Sequence, residues 1–500
     1  MRILKWLKWL GFIVLVIATL LALFVAFENY RGKQAWLAFN TEWEAKGERF
    51  DLDAFRPPTV PDDQNFAMTP LLASLHDYQF DPKTKQAIWR DTNASERAKG
   101  LFDWRRYLKN GSAWRAAEFV DLASWQRDLR GATNAPDRQI KALLATPPAK
   151  PEADLLFLLN LNAAELDEVR TASQRPYAVF KIHVEESFQA LFPELAVMKN
   201  FASAFQVKAL AELAAGNPDA AFADSQAALA MGEAVRSEPI LIAGLVRLAC
   251  LEIAMPPLWE GLARGQWSAA QLERFQARLG RINLVEEMLH NLRGERAFSI
   301  AAIDLMKHDP EALDMGGEDG TGIGALRYMP SGWFYQNQLG IARMYQETYP
   351  TLDPTRRTVG LAQVSQTMTN FEKQLQSMSP YTIFAKMLIP AVNKAVEKTA
   401  RAQATMSLAT VACALERHRL SAREYPDRLD ALAPRFLESL PLDPVNGEPL
   451  KYRRTDDGRF LLYSVGLNRK DDGGTPAADK KGKPQPDGPE GDWVWRYPAK

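Results

Sequence analysis

The chain opens on a long apolar run. From Trp9 to Phe27 there are 19 residues without a charge. That length crosses a hydrocarbon core of roughly 30 Å at about 1.5 Å per helical residue. The run has no polar face, so it reads as an uncleaved membrane anchor through residues 9–27 rather than as a core helix. A cleaved signal peptide fits less well, because Ala26 suits a cleavage site and Phe24 does not. Arg2, Lys5 and Lys8 precede the run, which favours a cytoplasmic N-terminus and a body on the periplasmic or extracytoplasmic side. Trp6 and Trp9 suit the headgroup level.

Beyond the anchor, Gly32 to Lys46 predicts an amphipathic helix. Trp36, Phe39 and Trp43 fall at helical spacing and Gly47 is its stop. The following FDLDAFRPPTVPDDQNFAMTP reads as an extended connector. Residues 82–150 mix short helical patterns with polar loops, and Ala145 to Pro151 suits a linker. From Glu152 to Arg281 the pattern is strongly helical. Leu213-Ala-Ala-Gly-Asn-Pro-Asp-Ala-Ala221 is echoed 49 residues later by Leu262-Ala-Arg-Gly-Gln-Trp-Ser-Ala-Ala270. Each copy predicts a helix ending at Gly, a short turn and a new helix. The spacing exceeds the roughly 34 residues of tetratricopeptide repeats. The expectation is therefore helical hairpins, in a bundle or a short solenoid. Asp314 to Gly324 is Gly-rich but lacks a Gly-Lys-Ser/Thr ending, so it reads as a loop. Helix returns after it, with Trp333, Phe334, Leu339, Ile341 and Tyr345 available for packing.

Composition narrows the class. Lys plus Arg and Asp plus Glu number 61 each. No global field would hold nucleic acid, and none is expected as a partner. The only cysteines, Cys250 and Cys413, sit in apolar helical stretches and read as small buried hydrophobes.

Near the C-terminus the pattern changes. A long amphipathic helix from Asn393 to Leu420 would place Ala404, Leu408, Val411 and Leu415 on one face. Tyr425-Pro426 breaks it, and Asp427 suits the cap of a short helix through Leu432. Pro441 and Pro444 fix an extended loop. Leu450 to Arg454 and Phe460 to Val465 alternate as strands around Asp456-Asp457-Gly458, with a last strand at Trp493 to Tyr497.

The order ALERHRL, EYPDRLDAL, LPLDPVNGEPLKYR, LLYSVGLN and DDGG resembles the C-terminal half of the major pseudopilin of type II secretion. The likeness covers Ala412 to Gly474. The whole chain resembles large, uncharacterised, membrane-anchored bacterial envelope proteins. The pilin-type N-terminus is absent: Ile13, Val14, Leu15 and Val16 follow Gly11-Phe12, and no acidic residue precedes Glu28. The resemblance implies calcium in the loop after the Ser-x-Gly turn, with Asn468, Asp471, Asp472 and Asp492 as oxygen donors.

The expected fold is mainly α. Residues 1–28 are the cytoplasmic N-terminus and anchor, 29–150 a juxtamembrane helix and mixed region, 151–390 a helical domain, and 391–500 a pseudopilin-like α+β module. No Gly-x-Ser-x-Gly, His-Glu-x-x-His or dinucleotide fingerprint occurs. His183 and Glu186 would share a helix face beside Glu185, which is more commonly a polar face than a catalytic site. No catalytic or cofactor-binding residue is assigned. The expected function is non-enzymatic contact with other envelope proteins, linked to secretion or a pilus-like assembly. The alternative is an exported hydrolase working through carboxylates, for which two carboxylates with raised pKa in a surface pocket would be the sign.

Overall fold

A computed structural model describes residues 2–81, 86–109, 111, 113–181, 191–309, 328–375, 379–388, 392–479, 485 and 488–498. His183, Glu185, Glu186 and the Gly-rich stretch 314–324 lie outside them. The fold is mainly helical, with an apolar N-terminal helix and short antiparallel sheets.

The apolar run and the amphipathic stretch after it form one uninterrupted helix, α1 (Arg2–Ala45). Asn29 and Gly32 fall at the junction, yet the helix runs through both without a break. Side chains from Lys5 to Phe27 are almost all exposed, whereas Glu28, Gly32 and Trp36 are buried against the body. The chain turns at Gly47, whose φ is +92°.

Next come α2 (Pro70–Ala73), the hairpin β1 (Tyr78–Asp81) and β2 (Gln86–Trp89), α3 (Thr92–Gly100), α4 (Leu122–Gly131) and α5 (Arg138–Leu144). The segment suggested as a linker is a short break before α6 (Pro151–Asn160). Arg130 grips it, donating to the carbonyls of Thr146 and Pro147 and pairing with the buried Asp154. Then follow α7 (Ala163–Ala172), α8 (Pro193–Ala214), α9 (Pro218–Ala234), α10 (Leu241–Ala263), α11 (Ala269–Gly280) and α12 (Leu284–His308).

The echoed motifs are the α8–α9 and α10–α11 turns. Gly216 and Gly265 take φ of +83° and +65° there, which favours Gly because it has no Cβ. The turns lie side by side: Gln266 Nε2 donates to the Leu213 carbonyl at 3.1 Å, and Gln271 Nε2 to Asp219 Oδ1 at 2.8 Å. Phe222, Trp267 and Phe275 pack edge to face between the hairpins. By length and hydropathy α10 would also suit a membrane, yet 67% of its most apolar window is buried in the body. It carries buried Arg247, paired with Glu287 on α12.

The remainder is α13 (Ser331–Thr348), the two-residue strands β3 (Leu352–Asp353) and β4 (Thr358–Val359), α14 (Leu361–Leu375), α15 (Ile383–Leu388), α16 (Val392–Ala422), and β5 (Lys451–Arg454), β6 (Phe460–Ser464) and β7 (Trp493–Trp495). The last three form one antiparallel sheet, pairing Tyr452 with Leu462 and Leu462 with Trp495. The α16 helix was expected to be amphipathic, but from Ala400 to Glu416 all residues except Arg401 are buried. Its Ala, Ser, Thr and Cys residues are small enough to admit α10, α11, α12 and the sheet on different sides. Asp427 does not cap the turn after it. That turn is a single 3₁₀ stretch, Leu429–Leu432, and Asp427 instead accepts from Arg454 at 2.9 Å. One continuous apolar core runs from Phe66 through α8–α11 and α16 to Trp495. Each fully buried large side chain in it contributes about 1.5–3 kcal/mol of transfer free energy.

Candidate binding cleft and buried carboxyls

A cleft of about 700 Å³ opens where α11, α16, the β3–β4 turn and the loop 437–442 meet. Its volume lies in the range of ligand sites, roughly 300–1,000 Å³. Arg281, Arg356 and Arg357 line it, opposed by the single carboxylate of Glu438. Arg356 donates to the Gly447 carbonyl at 3.2 Å, and Arg357 to the Gly280 carbonyl at 2.9 Å. Among the described residues none of the three makes an ion pair. The floor is neutral, with Gln403, Met406, Ser407 and Thr410 from one face of α16. Gln403 is committed to structure, accepting from Leu284 N–H at 2.8 Å. Three guanidinium groups without carboxylate partners, held on fixed elements, suit an anionic group. Sequence reasoning passed over them. Arg356 and Arg357 sit in an ordinary turn sequence, and only the fold carries Arg281 to their side.

The loop above this cleft explains the Pro-x-Asp-Pro motif. Asp443 is buried. One of its oxygens accepts from Val445 N–H at 3.0 Å and the Ser464 hydroxyl at 2.9 Å, and the other accepts from Val465 N–H at 2.9 Å. The carboxylate thus latches the loop to the end of β6. Burial raises its pKa, against the pull of those three donors.

The residues suggested for calcium do come together. Asn468 Nδ2 donates to Asp472 Oδ2 at 2.8 Å, and Asp492 accepts from the N–H groups of Asp472 and Gly474 at 3.3 and 2.6 Å. Asp471 accepts from Gly473 N–H and the Tyr463 hydroxyl at 3.0 and 2.9 Å. The Gly473 bond holds Asp471 below its usual pKa, whereas burial raises that of Asp492. Backbone donors thus occupy much of the oxygen set that a hard cation would need. Among the described residues no group of three or more His, Cys, Asp or Glu is arranged to hold a metal ion.

A second acidic feature went unread in the sequence. Glu194, at the start of α8, and Glu238, in the α9–α10 loop, face each other in the core. His76 Nε2 lies 3.3 Å from Glu194 Oε2. Burial drives both carboxyls up, Glu194 to about 8, so at least one keeps its proton to bond the other. These side chains line none of the clefts at 276–442, 114–494 or 116–498. Burial also pushes up both thiols, that of Cys250 to about 12, and both cysteines are free.

No protein family, curated protein or solved structure matches the chain.

Proposed function

We propose that this is a single-pass, membrane-anchored envelope protein that works by binding a partner protein on the extracytoplasmic side. The arginine-lined cleft carries the reading. It offers to an acidic segment three cations that make no ion pair among the described residues. The apolar run of the helix Arg2–Ala45 supplies the anchor, and Arg2, Lys5 and Lys8 at the start of that helix supply the orientation. The C-terminal resemblance would place the partner near a secretion or pilus-like assembly. The hydrolase reading would draw on Glu194 and Glu238, which lie inside the core rather than at a surface pocket.

The test places a photo-crosslinking residue at exposed Ser439, on the rim of the cleft, in the full chain in its native membrane. The expected result is one discrete protein adduct, lost when Arg356→Glu and Arg357→Glu are combined. Absence of an adduct, or an adduct indifferent to the charge reversal, overturns the proposal.

A further inference from the structure

The contacts between α1 and α13 climb both helices together. Asn29 Oδ1 accepts from Gly332 N–H at 2.9 Å, and further along Trp36 shares a cluster with Leu339 and Ala342. The two helices are therefore parallel, and both lead away from the apolar run. The crossing is close: a Cβ on Gly332 would run into the Glu28 carbonyl, and one on Gly32 into the Gly332 carbonyl. A third segment joins at the same level. The Tyr381 hydroxyl donates to Glu28 Oε2 at 3.0 Å, Arg31 lies 5.3 Å over the Tyr381 ring, and the Phe334 and Phe384 rings stack at 5.1 Å.

This fixes a height. Glu28 and Asn29 follow Phe27 directly, so α13 begins only about 3 Å beyond the uncharged run. Tyr328 to Pro330 lead into the start of α13 at that level. Tyr328 is there and is 89% exposed; Ile383, beside the third segment, is 43% exposed. Tyr30 is exposed on α1 at the same height, and Arg31, Lys33 and Lys386 add exposed cations. Aromatic rings mixed with cations suit the headgroup layer, whose anionic lipids attract Lys and Arg.

We propose that this end of the body is seated on the lipid headgroups beside its own anchor, with Tyr328 and Ile383 in contact with lipid. The inference rests on the reading of α1 as a membrane anchor. The occupant is lipid because the exposed side chains sit at the height where the spanning run ends.

The test uses the full chain in vesicles of phosphatidylethanolamine and phosphatidylglycerol, with spin-labelled lipid as quencher. Single fluorophores are attached at Leu15→Cys, Tyr328→Cys, Ile383→Cys or Ile242→Cys. Ile242 is the remote control. It is 51% exposed and adjoins Leu241, whose N–H is held by Glu295, next to the arginine pairs on Glu48 beyond the far end of α1. Acyl-chain quencher should quench Leu15. Headgroup quencher should quench Tyr328 and Ile383 at least about threefold more than Ile242. Quenched Leu15 with Tyr328 and Ile383 no different from Ile242 overturns the seat alone. Unquenched Leu15 overturns the anchor and the seat together. Quenching at Tyr328 that fades as protein per vesicle rises would assign the patch to a second copy of the chain, and also overturns the proposal.

Discussion

At the scale of residues, buried ionisable groups set the chain's response to pH. Glu194 keeps its proton in the fold where an unfolded glutamate has lost it. Its contribution is fully present below the ordinary value of 4.5 and is lost as the pH climbs through about 8. The chain should therefore lose stability, on the order of a few kcal/mol, between pH 5 and 8 from this pair. Denaturant midpoints across that window check it, and Glu194→Gln should flatten the slope. A midpoint equally steep in the variant would assign the dependence elsewhere. Asp443 is the second test. Asp443→Ala leaves two buried N–H groups and the Ser464 hydroxyl without their acceptor. Each orphaned group costs about 1–3 kcal/mol, so the loss should be at least about 2 kcal/mol by chemical unfolding. Loss of the latch should also loosen the cleft wall at 437–442.

At the scale of elements, what the sequence revealed was whatever local chemistry decides. The turns at Gly216, Gly265 and Gly458 were legible because positive φ selects Gly. The strands 451–454 and 460–464 were legible by their place either side of such a turn, although their burial does not alternate as expected: β6 is buried at every position. Asp427 shows the limit, since a good capping residue went to Arg454 once the fold brought that cation near. The hairpin β1–β2 was missed because its strands are four residues long and mix polar with apolar side chains. The donors suggested for calcium were legible as a cluster, being near in sequence, apart from Asp492. The cleft was not legible, because Arg281 and Arg356 meet only after some 70 residues of chain have folded between them.

The join between α1 and the body makes its own predictions. Gly332→Val forces a side chain into the Glu28 carbonyl and should cost about 1–3 kcal/mol as overpacking. Limited trypsin digestion would show it as faster cleavage at Lys46 and Arg49. At the other end of the join, Glu48 pairs with Arg293 and with fully buried Arg296 at 2.8 and 3.0 Å. Glu48→Ala strands a buried guanidinium and should cost about 3 kcal/mol or more, measured as a lower midpoint of unfolding. A change below about 0.5 kcal/mol would mean that this pair does not hold the join.

At the scale of the whole molecule, the apolar N-terminal run and the body are one continuous piece. The helix that leaves the apolar run is the same helix that packs on α13, and no loop separates them. The body's largest apolar cluster among the described residues extends from the α8–α11 hairpins into the C-terminal sheet, where Trp259 Nε1 donates to the Arg496 carbonyl at 3.0 Å. The cleft at 276–442 belongs to that continuous body, which suits the proposed presentation of a fixed surface to a partner.

The central claim is that α1 carries this body to the outer side of the membrane. The most direct measurement adds a membrane-impermeant thiol reagent to intact spheroplasts bearing the Ser439→Cys chain. Cys250 and Cys413 are buried, with their thiols pushed up by burial, so they give a silent background. The account predicts labelling at Cys-substituted position 439 before lysis. Labelling only after the membrane is permeabilised would contradict it.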